Sequence, residues 1–282
     1  MSPRPAVRVA VVCPSRPLTP ERIEAVRALA APYIASGRLD LVFHPQCLEV
    51  HNHFAGPDAH RLEALVSVAN DPNFDAVWFG RGGYGAGRIA EAAIARLNDH
   101  ARNKQYLGFS DAGFLLAGLY RTRFPHLAHG PMPGDIAREG GATAVERALE
   151  FLAGGDTGLE PTTVEATAPL AAFNLTVLCH LLGTKLVPDL SGHVLYLEDV
   201  GEYHYRLDRA FCQILSQSWA PSLAGIRLGR CTPIPVDEAD TPFGETEVEI
   251  AKLWCAKTGI PYFGRADIGH DIQNKIVMFG RS

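Results

Sequence analysis

The sequence predicts an α/β protein, with an N-terminal parallel-sheet domain over residues 1–160 and a second, smaller C-terminal unit over residues 161–282. Three observations lead there. Up to the stretch "ATAVERALEFLAGG" (142–155), short apolar runs alternate with helix-patterned segments, the order that builds parallel strands joined by crossover helices. Two of those runs pass directly into glycine-containing corners, "GRGGYG" (80–85) and "GFSD" (108–111), as strand ends in such sheets do where they meet a ligand. The pattern then breaks at "GDTGLEPTTVEATAPL" (155–170), whose Gly, Thr and Pro content reads as a linker into a second unit.

Each element follows from local chemistry. "VRVAVVCPS" (7–15) is β-rich and stopped by Pro14. "TPERIEAVRALAAPYIASG" (19–37) has helical spacing between a Thr-Pro start and a Gly stop. "LDLVFHP" (39–45) is a second strand, and "DAHRLEALVSVAND" (58–71) a helix opened by Asp58. "FDAVWFG" (74–80) is a third strand, "GRIAEAAIARLND" (87–99) a helix, and "QYLGFS" (105–110) a fourth strand running into another helix. In the second unit "NLTVLCHLLGT" (174–184) suits an apolar helix, "GHVLYLEDV" (192–200) a strand and "YRLDRAFCQILSQ" (205–217) a polar-faced helix, with short strands and turns beyond.

Composition narrows the function. A hydrophobic fraction of 47% with 20% charged residues is that of a soluble globular chain with a full core. A net charge of −5 without a basic block gives no reason to expect nucleic acid or an anionic membrane as partner. The six cysteines lie far apart with no C-x-x-C pair, which reads as reduced, mostly buried thiols. The N-terminal apolar run is too short for a signal peptide, and no segment reaches the eighteen or so apolar residues of a membrane span, so a cytoplasmic location is expected.

Ser110 is the first candidate for chemistry. A serine at a sharp strand-to-helix turn holds its hydroxyl exposed, with the following N–H groups pointing toward it, which supplies a nucleophile and half an oxyanion hole. The pattern is G-F-S-D-A-G, not G-x-S-x-G, and a serine there can equally cap a helix. "RGGYGAGR" (81–88) can expose N–H donors to a ligand, although it has no G-K-[ST] ending and no G-x-G-x-x-G register, and a tight turn is the alternative. Beside "GFSD" it could donate the second oxyanion N–H.

A serine nucleophile needs a base, and the base a carboxylate. Of the eleven histidines, His270 in the polar turn "RADIGHDIQN" stands out; His193 suits a strand start, and His126 and His129 a loop that could border the pocket. Glu198 and Asp199 end an apolar strand and point to opposite faces by alternation, so only one of them can face a given site; the residues alone do not choose. The loop "HNHFAGPDAH" (51–60), with His51, His53, Asp58 and His60, fits no metal-ligand spacing and reads as a solvated loop, so no metal is expected.

Taken together, "RGGYGAGR", "GFSD", "HGPM", "NLTVLCHLLGT", "VLYLEDVGEYHYRLDR" and "DIGHDIQN" resemble, in order and over nearly the whole chain, the LD-carboxypeptidase family of serine peptidases. The resemblance implies an N-terminal domain shaped like class I glutamine amidotransferases, a smaller, β-rich C-terminal domain, and an active site between the two. It implies Ser110 as nucleophile, Glu198 as orienting carboxylate and His270 as general base, with the backbone N–H groups of Asp111 and Gly83 as oxyanion hole. It also implies a murein peptide substrate losing a terminal D-alanine in cell-wall recycling, no cofactor, and a homodimer. A substrate carboxylate calls for a cation, for which Arg81, Arg88, Lys185 and Arg206 are candidates, with Tyr84 as a further contact. Two other functions stand beside it: a microcin C-type self-immunity peptidase acting on acylated nucleotides, and a non-catalytic binder of cell-wall peptides. Phe173, where the family pattern leads one to expect glycine, and the proline-free "NKIVMFG" are departures that touch none of the three candidate catalytic groups.

Overall fold

The computed structural model describes residues 6–163, 166–236 and 241–280. Val164 and Glu165 of the expected linker lie outside the described residues. The chain runs β1 (Val7–Val12), α1 (Pro20–Ala35), β2 (Leu39–Phe43), α2 (Asp58–Asn70), β3 (Ala76–Phe79), α3 (Ala86–Ile94), the single turn α4 (Asp99–Arg102), β4 (Gln105–Gly108), α5 (Gly113–Arg121), β5 (Leu127–His129) and α6 (Gly141–Leu152). There follow β6 (Leu170–Asn174), α7 (Leu175–Leu181), β7 (Val194–Glu198), α8 (His204–Leu215), β8 (Gly225–Leu228), α9 (Glu247–Thr258), β9 (Tyr262–Arg265) and β10 (Val277–Met278). No described helix is long and apolar enough to cross a membrane.

The first sheet has the order β10-β5-β4-β3-β1-β2, parallel except for β10. Its strands are legible because they are buried on both faces: all four residues of β3, "AVWF", are fully enclosed, as parallel strands under two helical layers must be. One apolar cluster fills the face beneath α1 and α6, where Val26, Ala30, Val145 and Leu149 meet Val9, Val11 and Trp78. The other joins α2, α3 and α5 to the opposite face and continues without a break into β6, β7, β8 and the helices of the second unit. The strand order reverses between β1 and β3, which opens a crevice beyond their C-terminal ends.

The second unit corrects the β-rich expectation. It is a four-stranded sheet, β6-β7-β8-β9, parallel throughout and joined by α7, α8 and α9. Parallel neighbours need crossover helices, and α9 supplies the one not read from the sequence. It opens on a capping box, in which the Thr246 hydroxyl accepts from Glu249 N–H while the Glu249 carboxylate accepts from Thr246 N–H.

The chain's end stitches the two sheets together. β10 pairs antiparallel with β5 through Val277 opposite His129 and Met278 opposite Ala128. Two residues later Gly280 exchanges both backbone hydrogen bonds with Leu170 at the start of β6, at 2.8 and 2.9 Å. The expected linker is likewise tied down: the Glu160 N–H donates to Ile276 O (2.9 Å), and the Thr162 hydroxyl meets Tyr196 Oη (2.8 Å).

Candidate active site

The C-terminal ends of both parallel sheets converge on one cleft of about 420 Å³. β4 delivers Ser110 to it, the loop after β3 delivers Arg81, Gly82 and Gly83, and the segment between β9 and β10 delivers His270. Larger hollows of about 590 and 660 Å³ lie elsewhere; the first, at the opposite ends of β1, β3, β4 and β5, includes His126 but no serine or cysteine.

Ser110 sits where β4 ends and a tight turn, Ser110–Ala112, leads into α5. Its φ is +57°, a left-handed backbone value that costs a side-chain-bearing residue about 1–2 kcal/mol. The serine caps no helix through its side chain. The glycine loop is shaped around it: a Cβ at Gly82 would lie 2.9 Å from Ser110 Oγ. The backbone N–H groups of Asp111 and Gly83 have no acceptor among the described residues. The buried Asp111 carboxylate accepts from the Ser15 hydroxyl (2.5 Å) and from Ala86 N–H (2.8 Å), pinning the corner to the loop after β1 and to the start of α3. Burial raises its pKa against those two hydrogen bonds.

Glu198, fully buried at the end of β7, places Oε2 2.7 Å from His270 Nδ1. A carboxylate there requires Nδ1 to carry the hydrogen, which leaves Nε2 as the acceptor; that atom is buried and has no partner among the described residues. Burial disfavours the imidazolium, but the adjacent Glu198 charge and hydrogen bond outweigh it, so His270 is held above the ordinary histidine value. Ser110 and His270 line the same cleft without a direct hydrogen bond between them.

Asp199 faces away, as alternation requires. Its oxygens accept from Asn174 Nδ2 (2.8 Å), Val200 N–H (2.8 Å), and the Thr176 N–H and hydroxyl (3.0 and 2.9 Å), a set that fixes the start of α7. Burial, and then the Glu198 charge, push its pKa up to about 6 despite those donors.

Of the candidate substrate contacts, Arg81 lines the cleft and the others do not. Arg88 pairs with Asp58 at 2.8 Å and Arg206 with Glu202 at 3.4 Å, while Lys185 is an exposed side chain 4.0 Å from Glu91. Tyr84 is exposed and packs on His53 and Phe54. In the histidine-rich loop Asp58 is held by Arg61 and Arg88, and His60 by Glu49; no group of three or more potential metal ligands occurs among the described residues. His193 hydrogen-bonds to Tyr120 Oη at 2.6 Å, outside the cleft.

His129 is not in a loop: it ends β5, is buried, and has no partner for either ring nitrogen among the described residues. Burial pushes its pKa down to about 4, so it is neutral near pH 7. Phe109 packs between it and His270, with ring centroids 5.5 and 4.7 Å away. Arg16, Arg22 and Arg138, which also line the cleft, escaped the sequence reading. The rule that ligands sit beyond strand ends would have singled out Arg16, four residues after β1.

The family model for the LD-carboxypeptidase N-terminal domain matches residues 9–130, and that for the C-terminal domain matches residues 167–282. A Streptomyces coelicolor protein, named a carboxypeptidase by inference, is 36% identical over 246 residues, covering 81% of this chain and 77% of its own. The murein tetrapeptide carboxypeptidase of Pseudomonas aeruginosa is 29% identical over 251 residues, covering 82% and 79%. Among solved structures, muramoyltetrapeptide carboxypeptidase from Oxalobacter formigenes superposes with a TM-score of 0.76 at 22% identity, covering 96% of this chain and 93% of that one. A microcin self-immunity protein, MccF, does so at 0.77 and 15%, covering 98% and 92%. With both domain models matched in order and a relative above 30% identity spanning most of both chains, this chain belongs to the LD-carboxypeptidase family.

Proposed function

We propose that this chain is a serine carboxypeptidase that releases the terminal D-alanine of a murein tetrapeptide by cutting the amide between an L-centre and the D-residue, in cell-wall recycling. The observation that carries the reading is the unpartnered Nε2 of a Glu198-oriented His270, in the same cleft as a serine held at positive φ. Ser110 Oγ attacks the scissile carbonyl carbon while His270 Nε2 takes the hydroxyl proton, and Glu198 stabilises the imidazolium through Nδ1–H. The negative charge that forms on the carbonyl oxygen is met by the free N–H groups of Asp111 and Gly83. His270 then protonates the departing amine, D-alanine leaves, and a water activated by the same histidine hydrolyses the ester.

A pure peptide binder has no use for a carboxylate-oriented histidine in the same cleft as a serine held at a strained corner, which weighs against the non-catalytic alternative. The test is product analysis by mass spectrometry, with a murein tetrapeptide and an acylated sulfamoyl nucleotide offered in parallel. Loss of one alanine from the tetrapeptide is expected. An intact tetrapeptide beside a cleaved nucleotide conjugate would replace the murein reading with the self-immunity one.

A further inference from the structure

The glycine loop after β3 has little of its own to hold it in shape. None of the backbone N–H groups of residues 81–85 finds an acceptor among the described residues, and Gly83 and Gly85 take φ values of +112° and +137°. Its near end is tied to the first sheet at Gly80, whose N–H donates to Val12 O at 2.8 Å. At its far end the peptide unit between Gly85 and Ala86 is held from both sides by buried charges. The Gly85 carbonyl accepts from Arg61 Nη1 at 2.8 Å, as well as from Arg88 N–H, and the Ala86 N–H donates to the Asp111 carboxylate at 2.8 Å.

The same two charges hold the loop after β1. Arg61 Nη1 also donates to Pro14 O, and Asp111 also accepts from the Ser15 hydroxyl at 2.5 Å. Arg61 therefore joins two carbonyls of different loops, and Asp111 joins the donors that follow them in each. Arg61 lies in α2, fully enclosed, with its guanidinium carbon 4.8 Å from the centre of the Phe54 ring. Its carboxylate partner, Asp58, is partly exposed and shared with Arg88, and its Nε has no acceptor among the described residues. A guanidinium taken fully out of water is costly, and such a partner offsets little of that cost. What the position provides is a rigid fork of donors that fixes two backbone carbonyls. A Cβ at Gly85 would lie 2.8 Å from Arg61 Nη1 and 2.9 Å from Phe54 Cδ1, so the close approach requires glycine. The Arg61 charge also opposes the burial that raises the Asp111 pKa, which favours the ionised, accepting carboxylate.

We propose that Arg61 is a positioning residue for the reaction: with Asp111 it fixes the Gly85–Ala86 peptide unit, and so holds the N–H groups of Gly83 and Asp111 where the oxyanion forms. This rests on the carboxypeptidase reading above and extends it to a buried side chain of α2 that does not line the cleft. Asp111 then has two parts: its backbone N–H serves the oxyanion, and its carboxylate holds the loop that carries the other donor. Oxyanion contacts strengthen only as the carbonyl becomes tetrahedral, so losing Arg61 should slow the chemical step and leave peptide binding nearly as it was.

The experiment measures kcat and KM separately for D-alanine release from a murein tetrapeptide by the full chain and by Arg61→Met and Arg61→Lys, each with a melting curve and a pH–rate profile. Arg61→Met is expected to lose about 100- to 1,000-fold in kcat with KM little changed, the size of effect that one lost oxyanion donor produces. Arg61→Lys keeps the charge but not the fork, and should fall between that variant and the parent in kcat. The acid midpoint should stay at the parent's value in both, because neither change touches His270 or Glu198. A folded Arg61→Met with the parent's kcat, or with a loss carried by KM alone, would overturn the proposal. If Arg61→Met does not fold, Arg61→Lys decides, and the parent's kcat in that variant would overturn it. A shifted acid midpoint would replace positioning with a charge effect on the histidine. No D-alanine released by the parent chain would remove the carboxypeptidase reading itself, a result distinct from all of these.

Discussion

Two adjacent carboxylates, Glu198 and Asp199, do different work because a strand turns successive side chains to opposite faces. Glu198 sets the histidine; Asp199 holds four donors around the start of α7. Since His270 sits above its ordinary value of about 6.5, and only its neutral form accepts a proton, kcat/KM should fall on acidification with a midpoint above that value. Glu198→Gln removes the charge that raises it, so the midpoint should move toward acid while the rate drops by several orders of magnitude in a folded protein. Asp199→Asn should do the converse: an amide offers its donors one oxygen instead of two, which costs about 2 kcal/mol of stability and much less rate. Denaturant melts and pH–rate profiles on both variants check this, and a greater catalytic loss in Asp199→Asn would reverse the two roles. Alternation along residues 194–199 was enough to split the pair from sequence. Which member faces His270 depends on how the segment after β9 folds back, and nothing local to "LED" encodes that.

The elements of the first sheet were legible because buried strands alternate with helix-patterned segments, the first of which, α1, is marked by the Thr19 cap and Pro20. The second sheet was less so. β8 and β9 are four residues each, and β8 is mostly buried on both faces, so it carries no alternating signature to separate it from a turn. The capping box of α9, by contrast, was present at Thr246 and Glu249 and passed unread. β10 is two residues long and draws its meaning from its partners: Phe279 beside it meets Tyr120 and Phe173 edge-on at 5.4 and 5.3 Å and donates its N–H to Leu127 O. Phe173, the departure from the family pattern, is thus part of the stitch between the sheets. Phe279→Ala should cost about 3–5 kcal/mol, the usual penalty for emptying a buried aromatic site. Denaturant unfolding followed by both fluorescence and circular dichroism should show a single, earlier transition. Two separated transitions would mean that the sheets do not depend on this segment.

At the scale of the molecule, the proposed site is built from loops that are far apart in sequence and meet only because two sheets of mostly parallel strands present their C-terminal ends to each other. Ser110 and Gly83 come from one sheet, Glu198 and His270 from the other and its return segment. The motif at each corner was visible one at a time, and the resemblance joined three of them; the arginine cluster was not, since Arg16, Arg22, Arg81 and Arg138 share no pattern until the fold assembles them. What the assembly is proposed to do stands on the serine. Melting temperature and tetrapeptide turnover of Ser110→Ala, measured on one preparation, test it most directly. A nucleophile's loss predicts a nearly unchanged melting temperature, since alanine carries the same Cβ at the positive-φ position, with kcat lower by about a million-fold. A destabilised Ser110→Ala that still releases D-alanine at the parent rate would contradict it.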